Sequence, residues 1–168
     1  MSRVQNIINK LELQPHPEGG YFRETYRSDG IISQEHLGSE FVGDRNYCTA
    51  IYFLLTSDTF SAFHKINQDE MWHFYKGSPL TLHMISPEGD YSKVSIGNNI
   101  ENDEVLQFVV PATYWFAAEV IADNSYALVG CTVSPGFDFR DFEMPNRETL
   151  IALFPQHSNV ITKLTRVT

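Results

Sequence analysis

Apolar and β-branched residues recur in short runs along most of the chain, and turn-forming residues separate these runs. The interruptions are rich in Gly, Pro, Asn and Asp, which favour turns over continued strands. Many short strands at such spacing are typical of an all-β sandwich or barrel. The pattern predicts strands at 21–27, 47–56, 61–66, 71–75, 80–85, 91–96, 105–110, 114–121 and 125–133.

Helical spacing of apolar residues is confined to the two ends of the chain. It predicts a helix over 2–13 that Ser2 can cap. Near the C-terminus, Asn146 precedes an apolar stripe and predicts a second helix that ends at Pro155, followed by a short amphipathic piece over 160–164. We therefore expect a single β domain spanning 1–168, with small helices at both ends.

Chain length and net charge limit the number of domains and the kinds of partner that we expect. The chain has 168 residues, the size of one domain, and a net charge of −9. Nucleic acids and anionic membranes bind clustered cations, so we expect neither as a partner. The sequence has no apolar run of about 18 residues and no signal-peptide core, so we expect a cytoplasmic protein without a membrane span. Cys48 and Cys131 lie in apolar runs and are expected to be reduced, buried thiols.

The segment 61–77 concentrates the side chains that could carry chemistry. It places His64, Glu70 and His73 on two predicted strands joined by a polar turn, which would bring them close in space. Imidazole and carboxylate groups together suit metal binding or proton transfer, so we expect these three in one pocket. Strict alternation places Glu70 and Trp72 on one face and His73 on the other, unless a bulge intervenes.

Residues outside this hairpin are further candidates for ligand binding. Alternation groups Arg23 with Tyr21 on one face of the strand 21–27, and Glu24 with Tyr26 on the other. An arginine in a cavity orients a carboxylate or phosphate, although a surface salt bridge explains Arg23 equally well. Glu119, in an apolar strand, suits either an acid with a raised pKa or a paired carboxylate.

The hairpin resembles the first motif of the cupin superfamily, in which a His-any-His pair precedes a Glu and a Gly. His64, Glu70 and Gly77 match this motif, while Ile66 takes the position of its second His. The second motif is similar to the stretch that ends at Phe116, which stands at the position of its His. The resemblance implies four metal ligands, two of which are apolar here. His64 and Glu70 alone would hold a divalent metal weakly, so we expect no strongly bound metal or other cofactor.

Three longer segments, 15–28, 69–75 and 130–139, resemble the cupin-5 family, and the likeness runs across about 7–164. That family was long catalogued as a domain of unknown function. The resemblance implies an all-β cupin jelly roll, a double-stranded β-helix, similar in fold to the RmlC-type nucleotide-sugar epimerases. Those epimerases use a His held by an Asp, which Asp138 or Asp141 could supply here.

The resemblance and the residues together suggest an isomerase- or epimerase-type enzyme that acts on a small, carbohydrate-like molecule of unassigned identity. In this hypothesis His64 is the base, Glu70 is its orienting partner or a second acid, and Tyr75 or Tyr26 donates a proton. One alternative is a non-catalytic cupin that binds a small ligand. Another is a metal-dependent oxygenase, which the apolar residues at two ligand positions disfavour.

The hypothesis also specifies the site residues and the oligomeric state. The expected catalytic residues are His64, Glu70, His73 and Tyr75, and the expected ligand-binding residues are Arg23, Tyr26, Trp72, Phe116 and Glu119. We also expect a homodimer, because the outlying strand 21–27 can pair with a neighbouring subunit's sheet. Such pairing would let Arg23 or Tyr26 reach the neighbour's pocket.

Overall fold

The computed structural model of the chain describes residues 2–167, and its elements follow the predicted pattern closely. The helices in this part of the chain are α1 Arg3–Leu11, α2 Arg147–Leu153 and α3 Ser158–Lys163. The strands are β1 Gln14–Pro15, β2 Tyr21–Arg27, β3 Ile31–Ile32, β4 Arg45–Asn46, β5 Thr49–Thr56, β6 Phe60–His64, β7 Asp69–Gly77, β8 Leu80–Ile85, β9 Tyr91–Ile96, β10 Gln107–Val110, β11 Trp115–Val120 and β12 Tyr126–Ser134. No helix within 2–167 is long and apolar enough to span a membrane.

The strands form two facing sheets in the order of a jelly roll. The larger sheet has six strands in the order β1-β2-β5-β12-β7-β10, and the smaller has four in the order β6-β11-β8-β9. The main apolar core fills the space between the sheets and includes Phe53, Trp72, Leu82, Phe116 and Val129. The predicted jelly roll with short terminal helices is therefore confirmed.

The terminal helices cover the outer faces of the sheets. Helix α1, capped by the Ser2 hydroxyl that accepts from the Gln5 N–H, packs its apolar stripe over Leu54 and Tyr126 of the larger sheet. Helices α2 and α3 cover the smaller sheet and bury Trp115 among their apolar side chains. Asn146 caps α2 as predicted, with its side chain accepting from Thr149. Each amphipathic stripe thus buries a face that would otherwise expose apolar residues.

A β-bulge at Thr25 changes which side chains of β2 face inward. Register shifts between Glu24 and Tyr26, so Glu24 lies opposite Ile51, Tyr26 opposite Ala50, and Arg27 opposite Thr49. Phe22, Glu24 and Arg27 consequently line the interior, while Tyr26 is exposed. The prediction that Tyr26 shares a face with Glu24 is wrong, because the extra residue reverses the alternation.

A buried ion pair fixes the segment 136–143, which we call the strap, to the barrel. The guanidinium of Arg45 binds both carboxylate oxygens of Asp141, at 2.6 and 2.8 Å, and both side chains are 1% exposed. The amide of Gln68 also donates to Asp141, at 2.6 Å. Glu143 completes the attachment by exchanging backbone hydrogen bonds with Lys65. Because these charges are buried and paired, the strap is held in one position.

We expect a homodimer, and the structure indicates which edge would form it. Strand β1 pairs only with Tyr21 and Phe22, so within 2–167 the outer edge of β2 from Arg23 onward has no strand partner. Light scattering should give about twice the 19.2 kDa chain mass. Tyr26→Lys at this edge should favour the monomer, whereas Ile121→Lys, at an exposed position after β11, should leave the mass unchanged. A mass of 19.2 kDa that does not rise with concentration would contradict the prediction.

Candidate functional site

A cavity of about 320 Å³ opens between the larger sheet, β6 and the strap. Its apolar lining is mostly aromatic and consists of Phe22, Ile51, Phe53, Ile66, Trp72, Val133, Phe137, Phe139 and Phe142. The polar side chains that line it are His16, Glu18, Glu24, Arg27, Thr49, His64, Glu70, Cys131 and Asp138. An apolar cleft with a few converging polar groups is the usual form of a small-molecule site.

The turn between β1 and β2 delivers Glu18 into this cavity. The carbonyl of Glu18 accepts from the Ala62 N–H at 2.8 Å and from the Arg166 side chain at 3.0 Å, so the turn is tied to β6. Gly19 has φ +115°, and a Cβ there would lie 2.1 Å from the Phe60 carbonyl oxygen. Only glycine fits this approach. The close packing leaves Glu18 6% exposed.

Glu18 and His64 form a buried pair that shares a proton. Nδ1 of His64 lies 2.7 Å from the Ala62 carbonyl, which can only accept, so Nδ1 carries a proton. Nε2 therefore faces Oε2 of Glu18, at 3.0 Å, while Oε1 accepts from the Ser61 hydroxyl at 2.8 Å. Two unprotonated acceptors would repel at this distance, so the contact is stable with one proton between them.

His16 lies on the other side of the same carboxylate. Its Nδ1 accepts from the Glu18 backbone N–H at 3.3 Å and lies 3.4 Å from Oε2 of Glu18. The ring packs edge-on against Phe22, with centroids 4.6 Å apart. On β6, His64 is enclosed between Phe116, at 4.1 Å, and Phe142 of the strap, at 5.3 Å. The aromatic rings thus hold both imidazoles against Glu18 and keep them largely from water.

Burial dominates the electrostatics of this cluster. It raises the pKa of Glu18, an effect that His16 and the Ser61 hydrogen bond oppose. Burial lowers the pKa of His64, which the hydrogen bond to the Ala62 carbonyl and then the charge of Glu70 oppose. It also lowers the pKa of His16, which the charge of Glu18 opposes. The pKa values of the carboxyl groups therefore rise while those of the imidazoles fall, so the two kinds of group become more similar in acidity. Similar pKa values suit proton exchange between them near neutral pH.

Glu70 provides a second acid–base group in the cavity. Burial, and then the charge of Glu18, raise its pKa from an ordinary value of 4.5 to about 7, although His64 and the thiol of Cys131 oppose the rise. The indole N–H of Trp72 also lies close enough to oppose it. Even so, this N–H is buried without a hydrogen-bond partner among residues 2–167. A carboxyl with a pKa near 7 can both take and return a proton at physiological pH.

The mouth of the cavity carries charge that is already paired. Both Nε and Nη2 of Arg27 bind the Glu24 carboxylate, at 2.9 and 2.7 Å. Its remaining contacts are to the Phe137 carbonyl and to the side chain of Asn46. Asp138 is likewise bound by its neighbour Arg140, which holds its pKa well below the usual range. These pairs leave the mouth polar but locally neutral.

The residues at the cupin metal positions do not fit a metal centre. Ile66 and Phe116 occupy two of the four positions, and both are buried apolar side chains. His64 faces Ala62 and Glu18 with its two ring nitrogens. Among residues 2–167, no group of three or more His, Cys, Asp or Glu side chains is arranged to hold a metal ion.

The structure brings only some of the expected site residues together. His64, Glu70 and Trp72 line the cavity, and Phe116 packs on the His64 ring. The expectation that His73 shares this pocket is wrong, because β7 alternates from Glu70 to Phe74, before its bulge at Tyr75, and this places His73 on the outer face. There it binds Thr132 at 3.0 Å.

Four other expected residues also lie outside the cavity. Tyr75 is on the outer face of β7, 53% exposed and packed edge-on to Tyr52. Arg23 binds the exposed Glu12 beside α1, and the bulge turns Tyr26 outward. Glu119 is on the outer face of the smaller sheet, paired with Lys163 at 2.6 Å. None of the four lines the cavity of its own chain. Cys131 is a buried free thiol as predicted, but Cys48 is only partly buried.

Sequence reasoning missed His16, Glu18 and Arg27. His16 and Glu18 lie between Pro15 and a pair of glycines, a pattern that predicts only an interruption of regular structure. They also belong to the segment 15–28 that resembles the cupin-5 family, and this was the available signal. Nothing in simple alternation could place Arg27 inside, because the bulge at Thr25 decides its direction.

Comparison with known proteins agrees with the jelly-roll fold and with the resemblance of the segments 15–28, 69–75 and 130–139 to the cupin-5 family. Residues 5–145 match the family described as Cupin superfamily (DUF985). The chain belongs to this cupin-5 family. It is 35% identical, over 150 residues, to the uncharacterized protein YML079W of Saccharomyces cerevisiae, a match that covers 83% of this chain and 74% of the yeast protein.

Solved structures of similar cupins cover the whole chain. Protein SO0799 from Shewanella oneidensis is 40% identical, with a TM-score of 0.89 and full coverage of both chains. A hypothetical protein from Leishmania major is 37% identical, with a TM-score of 0.90, and the match covers 99% of this chain and 100% of that one. Oxalate decarboxylase from Bacillus subtilis, at 15% identity and a TM-score of 0.54 over 89% of this chain and 36% of its own, shares the fold alone.

Glu70 should make the stability of this cupin depend on pH. A folded-state pKa of about 7, above the ordinary 4.5, gives stability that is fully present below about pH 4.5 and is lost as pH rises through 7. Glu70→Gln keeps the neutral shape, so it should retain up to about 3 kcal/mol that the wild type loses. Urea unfolding at pH 5 and pH 8 measures this difference. Glu88→Gln, at an exposed turn, is the control, and parallel pH profiles for wild type and Glu70→Gln would contradict the prediction.

Proposed function

We propose that this cupin is a metal-independent isomerase or epimerase that moves a proton on a small, carbohydrate-like carbonyl compound. The observation that carries the proposal is the meeting, in one aromatic cavity, of the His64–Glu18 pair and the Glu70 carboxyl with its pKa of about 7. Enzymes that abstract and return a proton need two such groups with acidities near the working pH.

The two groups divide the work between taking and giving a proton. At neutral pH Glu70 is partly ionised, so it can take a proton from a substrate carbon next to a carbonyl. The His64–Glu18 pair already holds one proton and gives it up. We therefore reverse the roles expected from sequence: Glu70 is the base, and His64, oriented by Glu18 rather than by Glu70, belongs to the donor. Glu70 also lies inside the cavity, which the tyrosines considered as proton donors do not line.

The proposed step balances without any added reactant. Glu70 removes the proton as the C–H bond breaks, and the freed electron pair forms a C=C bond while the carbonyl pair moves onto oxygen. The His64–Glu18 pair then returns a proton, either to the opposite face of the same carbon or to the oxygen. The first outcome inverts a stereocentre, and the second begins the movement of the carbonyl to the neighbouring carbon.

A second candidate is a non-catalytic cupin that binds a small ligand in the same cavity. One observation favours it: both ring nitrogens of His64 already have protein partners, Ala62 and Glu18. A histidine held in this way can be purely structural. Tight binding of a molecule that neither exchanges a carbon-bound proton nor turns over would support this candidate.

The donor set leads us to expect a protein without a bound metal. Ile66 and Phe116 offer no lone pair where a cupin metal would need two imidazoles. Elemental analysis of protein purified without chelators should give iron, manganese, nickel and zinc well below one atom per chain. Chelator treatment should change neither activity nor unfolding. A stoichiometric metal that chelation removes together with activity would overturn the proposal and favour a metal-dependent oxygenase.

His64→Gln tests the proposed chemistry directly. Uncharged aldoses, ketoses and lactones in D₂O should reveal a substrate by exchange of a carbon-bound proton, followed by NMR. The variant should lower turnover of that substrate by about 10²–10⁴-fold, the usual contribution of an acid–base group.

The matched control is His83→Gln, because His83 is also a buried histidine paired with a glutamate, 3.2 Å from Glu119, but lies outside the cavity. The two variants should lose similar stability in urea unfolding, while only His64→Gln loses turnover. Equal turnover in both would show that His64 has a structural role alone.

A further inference from the structure

Trp72 carries a buried hydrogen-bond donor for which residues 2–167 supply no acceptor in hydrogen-bond geometry. Its side chain is 1% exposed, and its Nε1 has no partner among residues 2–167. Buried indole N–H groups usually find an acceptor, because an unmade hydrogen bond is costly away from water. An orphan donor beside a cavity therefore points to a group that is brought from outside the chain.

The position of this donor is fixed. Trp72 and Glu70 lie two residues apart on the inner face of β7, and both line the cavity. The Trp72 ring is held edge-on by Phe53 and Phe116, with centroids 5.8 and 6.4 Å away. Its N–H lies close enough to the Glu70 carboxyl to lower the pKa of that group, although the contact does not reach hydrogen-bond geometry. The N–H cannot easily swing to a different acceptor.

We infer that the indole N–H of Trp72 receives the carbonyl oxygen of an uncharged ligand and places the neighbouring carbon against Glu70. The inference rests on the proposed function and names the substrate class and a positioning residue for it. A carbonyl oxygen accepts the N–H, and the carbon beside the carbonyl is the one whose proton Glu70 takes. As that proton leaves, negative charge grows on the oxygen, where a preorganised donor stabilises it most.

The charges around the cavity indicate that the ligand is uncharged. Arg27 is the only Lys or Arg side chain within 2–167 that lines the cavity, and Glu24, Asn46 and Phe137 occupy four of its five N–H donors. Glu18 and Glu70 lie deeper and would repel a carboxylate or phosphate. The aromatic lining suits an apolar ring face instead.

The test uses the two tryptophans as a built-in comparison. Each gives one indole N–H signal in the ¹H–¹⁵N spectrum, and Trp115 lies outside the cavity, under the C-terminal helices with Lys65 over its ring. Trp115→Phe assigns the signals. The probes are cyclohexanone, its carbonyl-free counterpart methylenecyclohexane, and the anionic cyclohexanecarboxylate.

Cyclohexanone should shift the Trp72 N–H signal and leave that of Trp115 unmoved, while cyclohexanecarboxylate should shift neither. Trp72→Phe keeps an aromatic ring and removes the donor. It should weaken cyclohexanone binding by about 3–10-fold, the loss of one hydrogen bond, with little effect on methylenecyclohexane. The methyl signals of Ile51 and Ile66 report binding in the variant. If the variant does not fold, the wild-type indole shifts decide alone.

Three results would overturn the inference. The first is a shift of the Ile66 methyl by cyclohexanone with the Trp72 N–H unmoved. The second is equal binding of cyclohexanone by wild type and Trp72→Phe, and the third is binding of the carboxylate in preference to the ketone or of no probe at all. Absence of proton exchange with the indole shift intact would instead count against the proposed reaction and leave the carbonyl site in place.

Discussion

The site depends on one buried carboxylate, that of Glu18. A charge-bearing group at 6% exposure is stable only if its oxygens are satisfied, and here Ser61 and His64 satisfy them. The same residue binds β6 and Arg166 through its backbone carbonyl, so the turn before β2, the barrel wall and the C-terminal segment meet at one position. Glu18 also contacts Nε2 of His64, and its charge adds to the rise in the pKa of Glu70 that burial causes first.

Shielding from water gives these contacts their effect. The phenyl rings of Phe116 and Phe142 enclose His64, and the strap that carries Phe142 is held by the Arg45–Asp141 pair. In such surroundings the charged form of a group is costly, so the pKa values of the carboxyl groups rise and those of the imidazoles fall. This similarity in pKa suits proton exchange between them. The Arg45–Asp141 pair therefore helps to shield His64 from water, because it keeps the strap that carries Phe142 in place.

Period-two and helical spacing predict an all-β sandwich or barrel, the caps at Ser2 and Asn146, and the partition of β7 that puts Glu70 and Trp72 together. The jelly roll itself is implied by the resemblance to the cupin-5 family. The motif spacing around His64 also located the cavity. Spacing could not predict that Glu18 enters the barrel, because the turn Pro17-Glu18-Gly19-Gly20 has no periodicity and its direction is set by contacts with β6. Nor could it place Glu119, whose outward pairing with Lys163 depends on how α3 packs on the smaller sheet.

The bulge at Thr25 has a consequence for how related sequences should be compared. Arg27 faces the cavity and Tyr26 faces outward only because the strand carries one residue more than its partner. A homologue that lacks Thr25 would pair without a bulge and keep both directions, whereas a strand of the same length that paired without the bulge would exchange them without a single substitution. The side chains at the pocket mouth of a related sequence therefore follow from whether its strand bulges at this point, and not from its amino acids alone.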